Sequence, residues 1–152
     1  MDVFRNNDAK LGGLDQIRAL IAAGTLPPMM ATLGFFLVSV EKGRVAFEGH
    51  PSKAFYNPIG SVHGGYAAAM LDSACGCAVH SCLDATQGYT TLELKVAFHR
   101  TITDANGPVR AEGTIESLGR RVAFAEAKLR DAKGRLCASA TSTLLIFEVD
   151  KA

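Results

Sequence analysis

The sequence predicts an α+β domain in which a six-stranded antiparallel sheet wraps around one long central helix, with a short N-terminal helix before it. The first observation is residues 64–83, a run of small residues that is apolar nearly all round, as a buried helix is. The second is that two strand-like segments precede this run and four follow it. The third is that tight turns join most of the later segments, which antiparallel pairing allows.

The segments before the central helix have local start and stop signals. Residues 14–23 repeat apolar side chains at helical spacing and therefore predict an amphipathic helix. Gly24 ends this helix, and the Pro27-Pro28 pair prevents its continuation. Two alternating segments around the turn at Gly43 predict a hairpin. These two strands span residues 32–40 and 44–50, and the four later strands span residues 89–100, 109–118, 121–131 and 136–148.

Bulk composition excludes several classes of protein. A chain of 152 residues suits one domain, with a lead-in over residues 1–30 and a core over residues 31–148. The net charge is +1 without long charged runs, so we expect no nucleic-acid partner. No apolar run approaches the ~20 residues of a membrane helix, and residues 1–8 do not resemble a signal peptide. The sequence therefore predicts a cytoplasmic protein without a membrane partner.

The most informative stretch spans residues 57–72. Gly64 and Gly65 open the central helix, so its first backbone N–H groups can be approached closely. Asp72 lies among small apolar residues, where an ionised side chain is costly unless it is paired or used. Bare backbone N–H donors and an isolated buried carboxylate are components of an acyl-transfer site.

At this point the chain resembles the hotdog-fold acyl-CoA thioesterases, in particular the phenylacetate-pathway (PaaI-like) branch. The resemblance covers roughly residues 33–147 and rests on a spaced set of motifs rather than on the His-Gly-Gly triplet alone. These motifs are Asn57, Gly60, residues 62–65, Leu71-Asp72, residues 90–98 and residues 118–124.

The resemblance implies roles for five catalytic positions. Asp72 matches the carboxylate that acts as general base or nucleophile, and the Gly65 N–H matches the donor to the thioester oxygen. Asn57 matches a side chain that orients the thioester or the attacking water, and His63 matches a supporting residue. Thr91 matches a hydroxyl that positions water.

The resemblance also implies contacts to the substrate. Gly64 belongs to the helix start that the substrate approaches, and Thr90 replaces Thr91 if the alignment shifts by one residue. Gly119, Arg120 and Arg121 match a turn near which coenzyme A phosphates lie. Residues 98–102 depart from many relatives, which carry an aromatic residue and Arg-Pro there, so the pocket rim and the acyl group stay open.

The spacing within the central helix has a consequence of its own. Gly65 and Asp72 are seven residues apart, hence about 10 Å along a helix, so one carbonyl cannot contact both. Two antiparallel helices across a two-fold axis bring Gly65 of one chain to the partner's Asp72. We therefore expect an obligate homodimer. Residues 121–131 alternate with a small, apolar second face, which favours a dimer of dimers without deciding between dimer and tetramer.

The leading hypothesis is an acyl-CoA thioesterase that releases free acid and coenzyme A. The alternatives are a non-catalytic acyl-CoA-binding or regulatory module and a hydrolase of acyl carrier protein thioesters. No cofactor is expected, because coenzyme A is part of the substrate. No metal is expected either, since Cys77 and His80 share a helical face but lack two further ligands.

The size and type of the acyl group stay open, with aryl and short or medium chains as candidates. The apolar residues that either line its pocket or belong to the core are Phe35, Phe36, Tyr56, Tyr66 and Met70.

Overall fold

The predicted architecture is confirmed by the structure, a computed structural model that describes residues 10–149. Residues 1–8, which were considered for a signal peptide, lie outside this range. The helices are α1 (Gly13–Ala23), α2 (Pro28–Leu33) and α3 (Gly64–His80). The strands are β1 (Phe35–Glu41), β2 (Arg44–Gly49), β3 (Gln87–Phe98), β4 (Val109–Leu118), β5 (Val122–Arg130) and β6 (Leu136–Glu148).

The sheet has the strand order β1-β2-β4-β5-β6-β3, and every neighbouring pair is antiparallel. Its concave face packs on α3, whose small side chains allow close contact. The closest approach is at Gly113 of β4, where an added Cβ would collide with the carbonyl of Ala74 in α3. The order leaves β1 and β3 as the edge strands, and β3 is the edge that runs beside α3.

Two element boundaries differ from those predicted. Residues 32 and 33 belong to α2 and not to the first strand, because Pro28 begins a short helix instead of only stopping the previous one. Proline suits the first helical position, where its missing N–H has no intrahelical partner to lose. The central helix ends at His80 rather than at residue 83, so Cys82 follows it.

The small face of β5 lies on the inside of the sheet. Ala123, Ala125, Ala127 and Leu129 are buried in the core that contains α3, whereas Phe124 is exposed on the opposite face. The alternation that favoured a dimer of dimers is thus explained by packing within one chain. A tetramer stays a prediction without this support.

Asp131 organises the turn between β5 and β6. Its Oδ1 accepts hydrogen bonds from the N–H groups of Lys133 at 3.0 Å and Arg135 at 2.9 Å. Its Oδ2 accepts one from Nε of Arg135 at 2.8 Å. The Arg135 side chain, helped by these backbone donors, lowers the pKa of Asp131 to about 2.

Replacing Asp131 with asparagine is expected to lower the melting temperature at pH 7. Because the pKa is lower in the folded chain than the ordinary 3.8, the carboxylate stabilises the fold fully above about pH 4. That contribution is lost as the pH falls through about 2, so the wild type and the variant should converge there. Melting curves across this range measure the effect. Asp15→Asn is the control, because Asp15 pairs with Arg18 on the exposed surface of α1.

Candidate active site

The start of α3 is capped by His63. The imidazole Nδ1 accepts a hydrogen bond from the Gly65 N–H at 2.8 Å, which satisfies one of the free donors of the first turn. The ring of the exposed Phe98 lies over Gly64, where an added Cβ would come within 2.9 Å of it. The Gly65 N–H, predicted to bind the thioester oxygen, is therefore already occupied by an exposed side chain that a substrate has to displace.

Asp72 lies two turns further along α3 and is half-buried. Its Oδ1 accepts a hydrogen bond from the Thr91 hydroxyl at 3.0 Å. Thr90, the alternative position, is exposed on the opposite face of β3. The structure thus brings Asp72 and Thr91 together and leaves Thr90 apart from them.

A bulge in β3 orients Thr91. Thr91 pairs with Leu144 and Glu93 with Thr143 of β6, so Leu92 is an extra residue without an opposite partner. Tyr89 and Thr91 face α3 before the bulge, and Leu94 and Val96 face the core after it. Because strand side chains alternate, this change of phase requires one additional residue. The bulge thus allows Thr91 to reach Asp72 while the rest of the strand still covers the core.

Gly65 and Asp72 share one face of α3, and this face is not covered by the sheet. Gly65 is exposed, and Ala68, Ala69 and Asp72 are half-buried. The unpaired edge of β3 lies alongside, since Gly64 packs against Phe98 and Asp72 bonds to Thr91. A strip that carries both predicted catalytic groups is therefore open to a partner.

Asn57 shapes the loop that leads into α3. Its Oδ1 accepts hydrogen bonds from the N–H groups of Ile59 at 3.1 Å and Ser61 at 3.2 Å. Its Nδ2 donates to the Ser61 hydroxyl at 3.0 Å. The side chain lies near His63 but is engaged within its own loop, as asparagine commonly is in turns.

A cavity of about 420 Å³, here called the α3-start cavity, adjoins the His63 cap. It is lined by Asn57, residues 61–64, Ala67 and residues 98–102.

Three of the aromatic and apolar residues considered for an acyl pocket are instead buried in the core, namely Phe35, Tyr66 and Met70. Burial raises the pKa of Tyr66 to about 12. The sequence did not reveal this cavity, because its walls come from separate segments.

The turn between β4 and β5 forms a second cavity of about 340 Å³. Arg120 and Arg121 line it together with residues 145–148, and the Gly119 N–H closes the turn on the Val122 carbonyl at 2.9 Å. Val122 pairs with Leu145, which pairs with Thr90. Two strand spacings thus separate this turn from Thr90, about 10 Å. The two arginines therefore lie at the Asp72 end of β3, and the α3-start cavity lies at the other end.

The cysteines of α3 are structural. Burial raises the pKa of both Cys75 and Cys77 to about 12, and the nearby Asp72 carboxylate adds to this effect. A thiol of such pKa is not nucleophilic near neutral pH. Within residues 10–149, no three His, Cys, Asp or Glu side chains converge in a group that could hold a metal ion.

The six-stranded antiparallel sheet wrapped around α3 defines a hotdog-fold protein. The profile of the thioesterase superfamily matches residues 59–138, which include α3, β3, β4 and β5. The chain therefore belongs to the thioesterase superfamily and is a thioester hydrolase. None of the helices in the described part of the chain has the length and apolar character to cross a membrane.

Individual relatives agree with this assignment. The proofreading thioesterase EntH from Klebsiella pneumoniae is 29% identical over 78% of this chain and 85% of its own. A phenylacetic acid degradation-related protein from Ralstonia eutropha is 31% identical, with a TM-score of 0.75 over 84% of this chain and 96% of its own. A thioesterase family protein from Silicibacter pomeroyi is 28% identical, with a TM-score of 0.79 over 90% and 99%. The PaaI-like resemblance is thus confirmed.

Proposed function

We propose that this thioester hydrolase cleaves acyl-CoA to a free acid and coenzyme A at two sites shared between the subunits of a homodimer. One observation carries the proposal: Asp72, held by Thr91, and Gly65 lie on the same uncovered face of α3. The two groups are about 10 Å apart along the helix, too far for one carbonyl. A two-fold axis that pairs antiparallel copies of α3 brings Gly65 of one chain to the partner's Asp72.

The same two-fold axis accounts for the two cavities. They lie at opposite ends of β3, so antiparallel pairing places the α3-start cavity of one chain beside the arginine turn of the other. The thioester carbonyl then sits between them. The phosphates of coenzyme A reach Arg120 and Arg121 of one chain, and the acyl group enters the α3-start cavity of the other.

Substrate binding has to displace the His63 cap. The thioester oxygen replaces the imidazole as acceptor of the Gly65 N–H, which the positive end of the helix dipole assists. His63 is exposed, so its side chain can rotate away. His63 is thus a positioning residue that keeps the donor satisfied until a substrate arrives.

Asp72 then acts on the carbonyl carbon. The Thr91 hydroxyl fixes Oδ1 and leaves Oδ2 to accept a proton from water. The water oxygen bonds to the carbonyl carbon, Asp72 takes the proton, and the C–S bond breaks as the thiolate leaves. Alternatively, Asp72 attacks directly and water hydrolyses the resulting mixed anhydride. The thiolate is a good leaving group, so neither route requires a metal.

A complementation experiment tests the shared site. Asp72→Asn should inactivate one homodimer, and Gly65→Pro should inactivate another, because proline removes the N–H yet is tolerated in the first helical turn. After the two are unfolded together in equal amounts and refolded, half of the dimers are hybrids with one intact site each. Thiol release from acyl-CoA should then recover to about a quarter of the wild-type rate.

The controls separate this result from simple reactivation. Each variant refolded alone should stay inactive and should still unfold cooperatively as a dimer, with Gly65→Pro melting somewhat lower because it loses the His63 cap. If the mixture is no more active than its components while hybrids are detected by mass, each site lies within one chain. In that case the shared-site proposal is wrong.

A further inference from the structure

We propose that the acyl group of the substrate carries a carboxylate, which Arg100 binds at the rim of the α3-start cavity. This inference rests on the proposed function, because it assumes that a thioester lies at the Gly65 N–H. It adds the chemical class of the acyl group, which neither the family assignment nor the relatives supply.

The floor of the cavity is apolar. Val62, Ala67 and Ile102 are buried there, and the Phe98 ring lies over Gly64. A volume of about 420 Å³ accommodates a small acyl group. The floor therefore suits methylene groups or a ring next to the thioester carbonyl.

The rim of the cavity, in contrast to its apolar floor, has titratable side chains. The titratable side chains that line the cavity are His63, His99 and Arg100, and no carboxylate lines it. His99 is held by the Ser139 hydroxyl, with Nε2 and Oγ 2.8 Å apart. Arg100 takes part in none of the ion pairs found among residues 10–149. A guanidinium without an ion-pair partner beside an apolar floor is suited to a carboxylate, which it can bind through two parallel hydrogen bonds.

The cavity at the β4–β5 turn differs from the α3-start cavity in charge and position, so the two cavities suit different ends of the substrate. It contains two arginines but also Glu148, and it lies at the opposite end of β3. In the proposed dimer, the coenzyme A phosphates occupy that end. A hydrated diphosphate would also leave the apolar floor of the α3-start cavity uncovered. The anion at Arg100 is therefore assigned to the acyl group.

The test compares adipoyl with hexanoyl thioesters, which have equal chain length and differ in a terminal carboxylate. Each acyl group is attached to coenzyme A and, separately, to N-acetylcysteamine, which has no phosphate. Wild type should prefer adipoyl about fivefold in kcat/KM on both thiols, the size expected for one well-aligned charged contact at an exposed rim. In Arg100→Gln, the ratio of adipoyl to hexanoyl should fall to about one. Arg18→Gln, an exposed arginine on α1, is the matched control and should keep the ratio.

Each other outcome overturns the proposal in a recognisable way. If wild type hydrolyses hexanoyl-CoA but shows no adipoyl preference, the acyl group is not anionic, while the proposed function stands. If Arg100→Gln slows both acyl groups equally on coenzyme A but neither on N-acetylcysteamine, Arg100 binds a phosphate instead. If wild type releases thiol from neither acyl-CoA, the proposed function fails as well.

Discussion

Replacing Asp72 with asparagine should lower thiol release from acyl-CoA by about a hundredfold or more, the loss expected for a missing catalytic base. The amide has the shape of the carboxylate, and its oxygen can still accept the Thr91 hydroxyl hydrogen bond. It can neither take a proton from water nor attack the carbonyl. The measurement is kcat/KM by thiol detection, with acyl-CoA binding measured in parallel.

Three controls sharpen this result. Asp84→Asn changes an exposed aspartate beyond the end of α3 and should leave the rate unchanged. The melting temperature of Asp72→Asn should stay close to that of wild type, because Asp72 is only half-buried. Retained acyl-CoA binding would show that chemistry and not affinity was lost. Equal rates in the two proteins would mean that Asp72 is not catalytic.

Replacing Gly113 with alanine should have the largest effect on stability among the changes considered. The added methyl group would collide with the backbone carbonyl of Ala74, and no flexible side chain is there to give way. The sheet must move away from α3, which costs about 1–3 kcal/mol or more. Denaturant unfolding measures the loss as a lower midpoint.

Gly12→Ala is the matched control for this change. A Cβ at Gly12 would meet the Leu83 carbonyl at 3.5 Å, an ordinary contact, and the backbone there has φ of −67°, which alanine adopts freely. Its cost should be a few tenths of a kcal/mol, from a weaker helix cap. Similar losses in both variants would mean that β4 and α3 are not closely packed at Gly113.

The long helix and the later strands were predictable because their patterns have local causes. The small apolar residues of α3 and the alternation in β5 indicate which surfaces are buried. They do so without regard to the element that covers those surfaces. The sequence does not state which partner covers them. The small apolar face of β5 therefore favours a dimer of dimers on sequence alone, whereas its alanines are buried in the core that contains α3. The start of α2 was missed because Pro28 both prevents extension of one helix and suits the first position of the next.

The site was predictable only in part, and for a similar reason. Gly65 and Asp72 are spaced along one helix, so their separation follows from helical geometry. The choice between Thr90 and Thr91 depends on the bulge at Leu92, which the residue pattern does not predict. The α3-start cavity depends on the packing of Phe98 over Gly64, which joins segments far apart in the chain. The resemblance already places residues 98–102 at the pocket rim, but the individual positions of His99 and Arg100 beside His63 follow only from the fold.

The bulge at Leu92 also protects the edge of β3 from unwanted partners. An exposed edge strand invites any extended chain to add to it, which leads to aggregation. A regular incoming strand would lose its hydrogen-bond register where Leu92 interrupts the ladder. The irregularity that brings the Thr91 hydroxyl to Asp72 thus also makes this edge less receptive to indiscriminate strand addition.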